Sequence, residues 1–350
     1  MGTNLLSNVT RMQEEIISPR LLVFIDGQVY YRCTESHYSE ALNWPKKPLH
    51  DQYSAIGSLQ YEIFRGPKAS FQEFSIMLTY YLVRKLSFQS DILRAAQGLL
   101  RKFSALSGLQ CFEGLPPPLD RSLLFGKSSQ VFGRREGFPS YSWTGWKSVS
   151  DYDYSLETRD GISNDKNIED NSAEFNSGLR SWIIWHCRLE DGNLCRISDT
   201  GRLRKSLLLK PEDSKCKVRR YFQEIVVSVS DVDFGTVRAS SYPLLLFWTI
   251  CINLRLKRAP QAHGSSVGLV NYRAMDKYGE SCGLVNMDTT VPEIGEGKFA
   301  LLAATDDSFW ALMLMWEDGV AERRGVAKLS KDVIDGCLPP GPRWKAVVLG

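Results

Sequence analysis

Four histidines, His37, His50, His186 and His263, are the only imidazole bases in the chain, so a hydrolytic triad finds little support. His186, Cys187 and Cys195 come nearest to a zinc set. Their spacing matches no zinc pattern, and His186 and Cys187, adjacent on a strand, would point to opposite faces. There is no Walker loop and no G-x-G-x-x-G following a strand. The carboxylates beside Gln13 remain. Glu14 or Glu15, at the end of a short helix, could act as a general base or accept a ribose hydroxyl if a pocket surrounded it. Glutamates on a short terminal helix more often face solvent, and the sequence alone favours that.

Two stretches could bind rather than react. The basic run Arg202, Arg204, Lys205, Lys210, Lys215, Lys217, Arg219 and Arg220 could meet phosphates, but no aromatic residue interleaves it before Tyr221-Phe222. A solvated face answering the acidic stretch Asp151 to Glu174 is the simpler reading, and nucleic acid is not an expected partner. The second stretch is GFPSYSWTGW, Gly137 to Trp146, with Phe138, Tyr141, Trp143 and Trp146 among its ten residues. Such rings gather at element junctions, where they bury apolar area and find partners for Trp N–H and Tyr O–H. A stacking platform for sugars or bases is the alternative, with only Arg134, Arg135 and Lys147 as nearby readout groups. The plug is the favoured reading.

These residues need a frame. At 350 residues, 43% hydrophobic and 24% charged, the chain is long enough for one large domain or two ordinary ones. Its net charge of +3 gives no strong pull toward nucleic acid or anionic membranes. Eight scattered cysteines read as reduced thiols of a cytoplasmic protein. The longest apolar run, Leu244 to Ile252, is far short of the ~20 residues of a membrane span and reads as a strand buried on both faces.

Along the chain, Met12 to Ile17 reads as a helix end stopped by Ser18-Pro19. Asp26-Gly27 joins two apolar runs as a hairpin. Helices are predicted over Ser70 to Ser87 and from Asp91 or Ser90, as N-cap, toward Gly108. A short helix follows over Leu119 to Phe125. The expected domains are residues 1–150, an acidic linker 151–178, and a β-rich domain 179–350. In the last, Asp191-Gly192 and Asp318-Gly319 mark two more hairpins, and strands are expected over Tyr221 to Val229 and Tyr242 to Leu256. The predicted class is α+β, with helices and a partial α/β domain followed by an antiparallel sandwich or partial barrel.

Four stretches together resemble fungal heterokaryon incompatibility (HET) domain proteins. QEEIISPRLLVF, carrying Gln13, Glu14 and Arg20, is similar to a W-T-x-Q-E-x-x-x-S-x-R-x-L-x-F block. YYLVRKLSFQSD, ending in Asp91, is similar to Y-x-x-R-x-L-[ST]-x-x-S-D. FPSYSWTGW, with Pro139, Ser142, Trp143, Gly145 and Trp146, resembles F-P-S-[WY]-S-W-[AT]-G-W. The tail, WEDGVAERRGVAKL and PPGPRWKAVVLG, resembles the C-terminal region of the same proteins. Thr10-Arg11 stand where the family has W-T, and its earlier blocks are missing. The chain thus looks like the C-terminal part of a HET protein. The resemblance implies non-self recognition and cell-death signalling through protein partners in the cytoplasm. The family's likeness to TIR domains implies NAD cleavage as a possible activity of a complete domain, with Glu14 as candidate carboxylate. From this chain alone no catalysis and no cofactor are expected.

Overall fold

The computed structural model describes residues 13–14, 16–25, 28–33, 37–40, 42–46, 64, 68–82, 86–125, 132–148, 179–189, 191–197, 237–238, 240–259, 271–288 and 295–350. The acidic stretch 151–178, the basic run 202–220 and the strand expected over Tyr221 to Val229 lie outside them. The chain divides into two compact units, one of residues 1–111 with 152–154, the other of 112–151 with 155–350.

In the first unit, Gln13, Glu14, Ile16 and Ile17 are helical, as Ser18-Pro19 dictates. A four-stranded antiparallel meander follows in the order β1 (Arg20–Ile25), β2 (Gln28–Cys33), β3 (His37–Ser39), β4 (Leu42–Lys46). Ile25 pairs with Gln28, while Asp26-Gly27, where a hairpin turn is expected, lie outside the described residues. Helix α1 (Phe71–Leu82) opens on a reciprocal cap. The Glu73 amide donates to Ser70 Oγ at 3.1 Å, and the Ser70 amide donates to Glu73 Oε2 at 2.7 Å. The helix expected over Ser70 to Ser87 does not run that far, because Leu86, Ser87 and Phe88 are non-helical. A 3₁₀ turn, Gln89–Asp91, then leads into α2 (Ile92–Ser107). Asp91 occupies the N-cap position but makes no side-chain cap there, since its backbone is already near-helical. Gly108, in the left-handed conformation, ends α2 and donates to the Ser104 carbonyl. Ile92, Ala96, Leu99, Leu100 and Phe103 form its buried stripe. Phe74 meets Phe103 edge-on at 5.0 Å.

The second unit begins at Phe112 and passes through Pro116, Pro117 and Pro118 into α3 (Leu119–Ser122), then the ribbon β5 (Phe132–Arg134) and β6 (Trp146–Ser148). Its frame is a ten-stranded sheet built around one long strand, β10 (Leu244–Arg258). The other strands are β7 (Arg180–Ser181), β8 (His186–Arg188), β9 (Leu194–Arg196), β11 (Asn271–Met275), β12 (Ser281–Met287), β13 (Glu296–Ala304), β14 (Ser308–Glu317), β15 (Val320–Ser330) and β16 (Leu338–Leu349). Antiparallel pairings run β10–β11–β12–β15–β14–β13 and return to β10, where Leu254 meets Gly297. The result is a closed six-stranded barrel, where the sequence predicts a sandwich or a partial barrel. Alternate residues fill it, including Ile252, Leu254, Phe299, Leu301, Phe309 and Leu329. Helix α4 (Val333–Gly336) adds Val333 and Ile334 to the same core.

The first part of β10 extends beyond the ring. It pairs with β16 on one edge and β8 on the other. Leu244 to Phe247 are buried throughout, which is the two-faced burial expected of that run. The stretch Ser181 to Leu189, ahead of Asp191-Gly192, does not form one continuous strand: β7 pairs with β13 while β8 pairs with β10. β14 is buried on both faces from Phe309 to Leu314, apart from a half-buried Trp310. The pairing shifts register between Met313 and Leu314, where Arg324 is the extra residue on β15, and beyond that point Met315 is exposed. Among the described residues no helix is long and apolar enough to cross a membrane.

Candidate functional site

The segment from Arg134 to Trp146 folds back on itself. Gly145 makes this possible: a Cβ there would overlap the Pro139 carbonyl oxygen. The space is used by Arg134, whose Nη1 donates to the Arg135 and Gly145 carbonyls at 2.7 and 2.9 Å and whose Nη2 donates to the Phe138 carbonyl at 2.6 Å. Its guanidinium lies 5.6 Å from the centre of the Trp146 ring. Arg135, buried, donates to the Thr144 carbonyl and, at 2.7 Å, to that of Trp146. Two cations thus satisfy the carbonyls of a turn that has little regular structure of its own.

The rings are anchored in turn. Trp143 Nε1 donates to the Gly114 carbonyl at 2.9 Å and Trp146 Nε1 to the Ser140 carbonyl at 2.7 Å. Tyr141 donates to the Pro243 carbonyl at 2.7 Å, just ahead of β10, and burial holds its hydroxyl well above the ordinary phenol value. Ser142 donates to the Glu113 carbonyl at 2.7 Å and accepts from the Thr144 amide and hydroxyl. Ser140 accepts the Arg323 amide at 2.9 Å and donates to the Gly350 carbonyl. The seam is therefore pinned to residues 113–114, to the start of β10 and to β15. The sequence reading grouped it with residues 1–150, whereas these bonds fix it within the second unit.

Below it lies a charge pair that the sequence reading missed. Arg323, on β15, and Asp288, just after β12, are both buried and joined at 2.8 and 3.1 Å. Arg323 also donates to the Leu123 carbonyl at 2.8 Å and to that of Phe125, whose ring lies 3.6 Å from the guanidinium carbon. Burial pushes the Asp288 carboxyl up, and Arg323 pulls it back. One signal was available: Arg323 alternates with Ala321 and Gly325, so a charge stands among small residues on one strand face. No pattern named its partner.

The candidate residues fall into two groups. Pro139, Ser142, Trp143, Gly145 and Trp146 come together and are all buried. Trp143 and Trp146 are only 3% and 2% exposed, so neither ring offers a face to a sugar or base, as a plug requires. Gln13, Glu14, Arg20 and Asp91 belong to the first unit. There the Lys102 ammonium donates to the Ile16 carbonyl at 2.7 Å, and Ile17 and Gln13 pack against Gly98 of α2. Glu14 on the same short helix is exposed, and Arg20, first in β1, is exposed as well.

Chemically, the seam's hydroxyls at Ser140, Ser142 and Thr144 bond to backbone groups or to each other, and among the described residues none of them meets an imidazole or carboxylate that would activate a nucleophile. The chain is expected to lack a G-x-S-x-G elbow, yet Gly264 to Gly268, GSSVG, carries that spacing. It lies outside the described residues. Among the described residues no three His, Cys, Asp or Glu side chains converge as metal ligands. Comparison of the chain with models of known families, with curated proteins and with solved structures gives no match.

Proposed function

We propose that the chain works without catalysis, as a signalling protein of the heterokaryon-incompatibility type that acts through contacts with other proteins and leads to cell death. One observation carries this reading. The residues that bear the family resemblance in the seam are all occupied in buried structural bonds, and the one carboxylate the resemblance nominates, Glu14, stands in solvent on a short helix. Bonds of that kind make the seam part of the second unit's interior, so contacts with other proteins fall to outer surfaces.

Inducible expression of the full chain in a filamentous fungus, scored for dead hyphal compartments and for cellular NAD, tests the proposal. The expected result is death with NAD unchanged and with Glu14→Ala as active as the parent. Absence of death overturns the signalling role. NAD loss that disappears with Glu14→Ala replaces it with an NAD-cleaving enzyme.

A further inference from the structure

The hairpin β8–β9 places Cys187 directly opposite Cys195. Opposed residues on paired antiparallel strands project from the same face, so both thiols lie on one side of the hairpin. The backbone bonds around them, Leu189 N–H to Asn193 and Ile197 N–H to Trp185, put the two cysteines at a hydrogen-bonded position of the ladder, where Cα atoms are about 5.5 Å apart. That separation lies within the range a disulfide spans. Their exposures differ: Cys187 is buried against β10 opposite Leu245, whereas Cys195 is exposed on β9, the last strand of the sheet.

We propose that Cys187 and Cys195 form a reversible, redox-responsive disulfide, with Cys195 as the thiol that meets the oxidant and Cys187 as the thiol that resolves it. With a hydroperoxide, the Cys195 thiolate attacks the terminal peroxide oxygen. The O–O bond breaks, an alcohol or water departs, and Cys195 becomes a sulfenic acid. The Cys187 sulfur then attacks the Cys195 sulfur. The S–S bond forms, the S–O bond breaks, and hydroxide leaves with the Cys187 proton as water. Overall two thiols lose two electrons and the hydroperoxide gains them. Cβ atoms at a hydrogen-bonded position sit farther apart than a relaxed disulfide prefers, so the bond closes under strain and a thiol pool reopens it. Closure would tie the edge strand β9 covalently to β8, which β10 already holds in the sheet.

The test uses the full chain, reduced and then exposed to hydrogen peroxide or diamide, alkylated, digested without reductant and mapped by mass spectrometry. The expected product is one cross-linked peptide pair joining Cys187 to Cys195, lost when reduced glutathione is in excess and absent from Cys195→Ser. Sulfinic acid or a glutathione adduct on Cys195 with Cys187 still alkylatable after unfolding overturns the proposal. So does a bond from either cysteine to any other.

Discussion

Arg323 grips Asp288 through two parallel bonds, Nε to Oδ2 at 2.8 Å and Nη2 to Oδ1 at 3.1 Å, with both side chains shut away from water. A buried pair of this kind is more costly to break than to replace. Asp288→Ala leaves a buried guanidinium without its counter-charge and is expected to lose about 3–5 kcal/mol. The double variant Asp288→Leu with Arg323→Met is expected to recover much of that loss. Urea unfolding, followed by tryptophan fluorescence, measures both. A double variant no better than the single one would mean that the carbonyl bonds to Leu123 and Phe125, not the charge, carry the effect.

Gly145 and Gly137 offer a controlled contrast in the seam. Gly145→Ala drives a methyl into the Pro139 carbonyl and is expected to lose roughly 3 kcal/mol and to alter near-ultraviolet dichroism from Trp146. Gly137 has φ +78° with nothing within 4 Å of a would-be Cβ, so Gly137→Ala meets only backbone strain, about 1–2 kcal/mol, and leaves the spectrum intact.

Alkaline stability follows from the thiols. Burial pushes the Cys251 thiol up to about 12, with Lys345 opposing. The unfolded chain releases that proton nearer the ordinary value of 9.0, so between the two pH values the folded state holds the extra proton. Stability present below pH 9 therefore falls as pH rises, and Cys251→Ala is expected to flatten that fall. Chemical unfolding at a series of pH values from 8 upward, at fixed salt, reads the slope; equal slopes in parent and variant would count against it.

Glu14 is expected to be dispensable for the fold. Glu14→Gln should shift stability by no more than about 0.5 kcal/mol, as for other exposed positions. In NAD incubations, the variant and parent are expected to be equally inactive by chromatography of nicotinamide.

Much of the frame was legible because turn chemistry is local. Asp318 and Gly319 both take positive φ, 47° and 76°, as the sequence Asp-Gly between two apolar runs implies, and Gly192 takes φ 84° in its hairpin. The stripe of α2 was legible for the same reason, since its positions repeat every turn. Barrel closure was not, because β10 divides its fifteen residues among β8, β16, β13 and β11, and no local pattern says where one partner stops and the next begins. At the seam the ring cluster announced burial, but the cations that hold it, Arg134 and Arg135, looked like readout groups. A charge bonded to carbonyls and a charge awaiting a ligand are identical in sequence.

The pairing of Leu245 with Leu349 has a consequence during synthesis. About a hundred residues separate the two, and at roughly 5–20 residues per second a ribosome needs roughly 5–20 s to deliver the second after the first. For that interval Leu244 to Trp248 leave the tunnel as an apolar stretch, and the β16 partners of Leu245 to Trp248 have not been translated. A segment in that state pairs readily with neighbouring chains, so the yield of this protein from a crowded polysome depends on what shields those five residues until β16 arrives.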